Sequence, residues 1–221
     1  MDAMDGHLIR FRGVSFRYDD GRQVFDGLDL DWRPDENIAL CGPNGSGKTT
    51  LLHLCVGLLR PQAGEVEVLG KPRKREADFH DVRARVGLLF QDPDDQLFCP
   101  TVAEDVAFGP FNLGLSRAEV EAVTEETLAS LGLRDLARRT ASRLSHGEKK
   151  MAALASVLAM RPRALLLDEP TAGLDPDAAE RLVSALERLR LPALIASHDF
   201  SALERLGLRR VRLQNGKAHN A

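Results

Sequence analysis

The run Gly42-Pro43-Asn44-Gly45-Ser46-Gly47-Lys48-Thr49-Thr50 constrains this chain more than any other feature. It fits G-x-x-x-x-G-K-S/T, and it lies between a short apolar segment, Ile38–Cys41, and a longer one, Leu51–Leu59. The glycines let the backbone curl until successive N–H groups point at one cluster of phosphate oxygens. A helix starting near Lys48 adds the positive end of its dipole at the same place. Lys48 supplies a charge for the outer phosphates, and the Thr49 hydroxyl is suited to Mg²⁺. The spacing therefore predicts strand, phosphate-binding loop and helix in that order, with Gly42 to Thr50 contacting a nucleotide.

Two later segments supply chemistry that such a loop requires. Leu165-Leu166-Leu167 is an apolar strand that ends in Asp168-Glu169. A parallel strand beside the loop strand would bring Asp168 to the metal and Glu169 to the water that attacks the terminal phosphate. A third strand, Ala193–Ser197, ends in His198. All three strands would deliver their polar ends to the carboxyl edge of one sheet, where open α/β folds bind ligands.

The rest of the chain reads as one α/β unit. Residues 8–32 alternate apolar and polar residues around the turn Asp19-Asp20-Gly21, which predicts an antiparallel β region. Glu65–Leu69 and Val86–Phe90 read as strands. Ser116 with Glu119 forms a capping-box pattern before Val120, Val123, Leu128 and Leu131, so residues 92–150 read as a mainly helical insert. Helix resumes from about Ser145 to Met160, with Met151, Leu154, Ala155 and Leu158 on one face. Asp175-Pro176 opens another, and Asn215-Gly216 marks a final hairpin. Alternating strands and helices imply a largely parallel sheet covered on both faces.

Composition excludes some functions. The 221 residues carry a net charge of −3, which gives no footprint for nucleic acid. Cys41, Cys55 and Cys99 match no zinc or redox spacing and suit a reducing compartment. The longest apolar stretch, Leu51–Leu59, is far short of the ~20 residues a membrane span needs. The chain is expected to be soluble, and any membrane path must come from another protein.

Leu144-Ser145-His146-Gly147-Glu148 resembles the signature of ABC-type transporter ATPases, usually LSGGQ, and sits between the loop and the Asp168-Glu169 strand as in that family. Gln91 is similar to its Q-loop glutamine, Ala172–Asp175 to its D-loop, His198 to its switch histidine and Tyr18 to the aromatic that stacks on adenine. Six ordered motifs cover essentially the whole chain. The resemblance implies an α/β P-loop core (residues 1–91 and 151–221, with an N-terminal antiparallel β subdomain) and a helical subdomain at 92–150. It implies ATP and Mg²⁺ as ligands, with Thr49, Gln91 and Asp168 near the metal and Glu169, His198 and Lys48 in catalysis. It further implies a head-to-tail homodimer in which Ser145, Gly147 and Glu148 of one copy close on the ATP of the other. His146 and Glu148 depart from the usual glycine and glutamine, and Asp35 stands where the family often has glycine.

Phe90–Phe98, Asp105–Pro110 and Asn112–Leu115 look like the energy-coupling-factor importers of vitamins and transition-metal ions, and the signature with its two lysines is similar to the cobalt and nickel members. This resemblance implies a subunit at the cytoplasmic face of the cell membrane, peripheral to a transmembrane coupling protein and a substrate-binding membrane protein. Cobalt is the first expectation for cargo, ahead of nickel, biotin or another vitamin. A soluble ABC ATPase of repair or translation fits less well, since no long heptad segment or basic arm is present. Leu97, Phe98, Phe108 and Phe111 would form either a groove for the coupling protein or the core of the insert.

Overall fold

The computed structural model describes residues 6–220. Two sheets and a helical layer share the chain. Strands β1 (Ile9–Arg17) and β2 (Gln23–Trp32) form the expected antiparallel pair. Strand β3 (Asn37–Cys41) then feeds the glycine loop and helix α1 (Lys48–Cys55). Strand β4 (Ala63–Val68) returns antiparallel to β1, and the two-residue β5 (Lys71–Pro72) completes a sheet ordered β2-β1-β4-β5. A short helix α2 (His80–Arg83) leads to β6 (Val86–Leu89).

Helices α3 (Val102–Asn112) and α4 (Arg117–Ser130) follow, with α5 (His146–Leu158) after two 3₁₀ turns. The box read at Ser116 is present: the hydroxyl accepts from Glu119 N and the Glu119 carboxylate accepts from Ser116 N at 2.8 Å. The remaining elements are β7 (Ala164–Asp168), α6 (Pro176–Leu189), β8 (Ala193–Ala196), β9 (Leu208–Gln214) and β10 (Lys217–Asn220). Asp175 caps α6, its carboxylate accepting from Ala178 N at 2.8 Å.

The larger sheet runs β10-β9-β3-β8-β7-β6, parallel from β9 to β6, with β10 antiparallel at the edge. Strand alternation divides its side chains between two cores. Ile38, Leu40, Leu166 and Leu194 join α1 and the antiparallel sheet on one face. Ala39, Leu165, Leu167 and Ile195 pack with α3, α5 and α6 on the other. Both faces are covered, as near-continuous apolar parallel strands require.

Two expectations are adjusted or decided. Helix α1 starts at Lys48 and ends at Cys55, earlier than the apolar run to Leu59, because the N–H groups of Leu58 and Leu59 both turn back to His53 O. Helix α5 at His146–Leu158 falls within the span read from about Ser145 to Met160. Leu97 is core, whereas Phe98, Phe108 and Phe111 are exposed.

Candidate functional site

A cleft of about 720 Å³ lies at the carboxyl edge of the large sheet. Three adjacent parallel strands, β3, β8 and β7, set its polar residues. Lys48, Thr49 and Thr50 come from the start of α1, Asp168 and Glu169 from the end of β7, and His198 from just past β8. Gln91 enters beyond β6, and Tyr18 from the end of β1.

The loop geometry explains its sequence. Gly47 sits at φ 99°, and a Cβ there would lie 2.6 Å from Val24 Cγ1 and 2.8 Å from the Phe25 ring. No other residue satisfies both the backbone and the space. Gly42, Pro43, Asn44, Gly45 and Gly47 line the cleft. Ser46 does not, and its hydroxyl is buried without a partner among the described residues. The Lys48 ammonium donates to the carbonyls of Gly42 at 3.0 Å and Pro43 at 3.4 Å, which fixes its stem along the loop.

The two acids are built differently. Asp168 is buried, and its Oδ1 has no hydrogen-bond partner among the described residues. Burial raises its pKa above the usual carboxylate value and the Glu169 charge pushes the same way, while the Thr49 hydroxyl opposes them, as do His53 and Lys150. An orphaned anionic oxygen beside a hydroxyl and a phosphate loop fits Mg²⁺, which takes few protein oxygens and keeps several waters. Glu169 instead has its Oε2 fully engaged. It accepts from Ser197 Oγ at 2.9 Å and His198 N at 3.3 Å, and it meets His198 Nδ1 at 2.9 Å. Its backbone is left-handed at φ 43°, a strained conformation for a side chain of this kind and one that clusters at functional sites. With Nδ1 held, the exposed His198 ring leaves Nε2 free to face a ligand.

Tyr18 is pinned from three sides. Its hydroxyl hydrogen-bonds Thr50 Oγ1 at 2.8 Å, Phe16 meets it edge-on, and the Arg22 guanidinium lies 4.7 Å above the ring. One face therefore already carries a cation, which a purine must share or displace. Arg22 went unread in the sequence, although the turn at Asp19–Gly21 places it opposite Tyr18. Lys150 was also missed. It is fully buried on α5, and burial lowers its pKa to about 8 against the pull of Asp168, Asp92 and Glu169. Its position four residues before Leu154 could have revealed it as a member of the buried face.

The signature lies elsewhere. None of Ser145, His146, Gly147 or Glu148 lines the cleft. Ser145 and Glu148 form a reciprocal cap, with Ser145 N donating to the Glu148 carboxylate at 2.8 Å. Gly147 has a packing reason as well, since a Cβ there would come within 2.8 Å of Ala178 Cβ on α6. The imidazole of His146, the departure from the usual signature, rests against Gly173 of the Ala172–Asp175 turn.

The ABC transporter family profile matches residues 25–172, spanning the loop, Gln91, the signature and the two acids. The chain belongs to the ABC transporter family. It is an ATP-binding, ATP-hydrolysing cassette of that family. The cobalt import ATP-binding protein CbiO of Rhodobacter capsulatus is 46% identical over 199 residues, 87% of this chain and 70% of that one. The energy-coupling factor transporter ATP-binding protein EcfA of Methanocaldococcus jannaschii is 44% identical over 197 residues, 87% of this ABC ATPase and 71% of the relative. Among solved structures, cbiO1 of Clostridium perfringens, part of the complex cbiONQ, superposes with a TM-score of 0.86 at 31% identity, over 97% of this chain and 88% of that one.

Proposed function

We propose that this ABC ATPase powers an energy-coupling-factor importer for cobalt ions, as a head-to-tail homodimer at the cytoplasmic face of the membrane. The likeness to a relative named for cobalt import carries the reading. Two features support the assembly. The cleft holds every expected catalytic group of one chain but no signature residue, so a second copy supplies Ser145 and Gly147 to the nucleotide. Phe98, Phe108, Phe111 and Leu113 are exposed around α3, with Phe98 and Phe108 edge to face at 4.8 Å, and offer an apolar seat to a transmembrane coupling protein beside the substrate-binding membrane protein. No helix among the described residues is long and apolar enough to cross a membrane.

Within the cleft, the loop N–H groups and Lys48 bind the β- and γ-phosphates of ATP. Thr49, Asp168 and Gln91 hold Mg²⁺, which when bound neutralises charge on the phosphate oxygens. Glu169 orients the attacking water and takes its proton. His198, steadied by Glu169, presents Nε2 to the γ-phosphate. Tyr18, with Arg22, forms the platform for the base.

The test is transport. The tagged chain, purified from native membranes with its bound membrane proteins and placed in liposomes, is expected to take up Co²⁺ only with ATP. ATP-driven uptake of Ni²⁺ or biotin without Co²⁺ would correct the cargo. Recovery of the chain without membrane proteins would overturn the importer reading.

A further inference from the structure

Lys150 is fully buried, and none of the ion pairs among the described residues involves it. Its ammonium donates instead to two main-chain oxygens, Phe90 O at 3.1 Å and Gln91 O. Burying an ammonium is costly, and an apolar residue of similar length would fill the same space more cheaply. Fold stability alone gives no account of a lysine here.

What it holds is informative. Gln91 is the one residue of the 90–96 segment that lines the cleft. The same segment is tied to α5 at two further points. Lys149 Nζ pairs with both Asp94 oxygens, at 2.7 and 2.8 Å. Gln96 donates to Ala153 O at 3.0 Å and accepts from Phe90 N at 3.1 Å. Contacts from Lys149, Lys150 and Ala153 therefore fasten this segment along the first turns of α5, the helix that Ser145 opens.

We infer that Lys150 is a positioning residue that ties the Gln91 peptide to the signature end of α5, so that Gln91 enters its own cleft in step with Ser145 and Gly147. The inference rests on the reading above, in which the signature of one copy closes on the ATP of the other. Docking at the signature would shift α5 slightly, and Lys150 would carry that shift to Gln91. Engagement at one nucleotide would thereby be felt at the other through a single chain.

A double-mutant cycle tests this in the full chain, using Lys150→Met, Gln91→Ala and both together. Lys150→Met is expected to lower kcat about tenfold, as misplacement of a catalytic group does. KM for ATP and the binding of a fluorescent ATP analogue should stay within about twofold, since Lys150 itself does not line the cleft and meets Gln91 only through its main-chain oxygen. The double variant should be no slower than Gln91→Ala. Losses that multiply would mean that Lys150 acts independently of Gln91 and would overturn the inference, as would an unaffected kcat in Lys150→Met. An unaffected kcat in Gln91→Ala would overturn the role of Gln91 itself, and the inference with it. Should Lys150→Met fail to fold, Lys150→Gln replaces it in the same cycle.

Discussion

Glu169 shows how much one residue's placement decides. Its carboxylate meets Ser197 and His198, and its backbone is held left-handed at φ 43°, so the side chain is oriented before any water arrives. Removing its charge while keeping its shape isolates the chemical step. Glu169→Gln is expected to bind ATP normally but to lose at least about a hundredfold in turnover, and to elute as an ATP-dependent dimer on size exclusion. Turnover near the parent rate would reject Glu169 as the base. Lys48→Ala should differ in kind, because it removes a phosphate contact, and nucleotide binding should fall with the rate. These residues were legible because phosphate chemistry demands particular side chains at fixed spacing. Arg22 and Lys150 were not, since an arginine in a turn and a lysine beside an apolar stripe look ordinary until the chain closes around them.

Two helices carry the same device for different ends. Ser116 caps α4 and Ser145 caps α5, each with a glutamate three residues on. The carboxylate of Glu148 is held below its usual pKa by the backbone and hydroxyl of Ser145, so it is committed to the cap. Ser116→Ala should cost about 1 kcal/mol of stability and leave ATP turnover unchanged. Ser145→Ala should cost a similar amount in denaturant titrations and also slow hydrolysis. Equal turnover in the two variants would leave Ser145 as a cap and nothing more. Both boxes were readable from sequence, because capping is a local exchange of hydrogen bonds. That Gly147 also lets α5 approach Ala178 on α6 was not, because that contact joins segments about thirty residues apart.

Across the whole molecule, Arg209 on β9 joins the two sheets. It pairs with Glu36 at 2.7 and 3.0 Å, donates to Asp31 O at 2.9 Å and reaches Asn220 at 2.8 Å. The Arg209 hydrogen bonds hold the Glu36 carboxyl below its usual pKa despite the opposing effect of burial. A lowered folded pKa gives stability that is present above the unfolded value and lost as pH falls through the folded one. Glu36→Gln should therefore lower stability by up to about 1 kcal/mol at neutral pH, a figure kept small by partial exposure. The deficit should vanish below the carboxylate range, and an equal deficit at both ends of a pH series of melting curves would rule out the ion pair as its source. The exposed phenylalanines make a separate prediction: Phe111→Asp should leave ATP hydrolysis by the chain alone intact but abolish its recovery with membrane proteins, and continued assembly would discard the apolar seat. The order of motifs along the chain was enough to specify a phosphate loop, an acidic strand, the α/β class and the capped helices, because each rests on short-range spacing and backbone chemistry. Folding settled which side chains meet. It brought Glu169 to His198 and buried Lys150 against the Gln91 peptide, and it left Ser145 outside the cleft of its own chain. Those outcomes depend on strand order and on how α5 packs against the sheet, long-range contacts that no local pattern encodes.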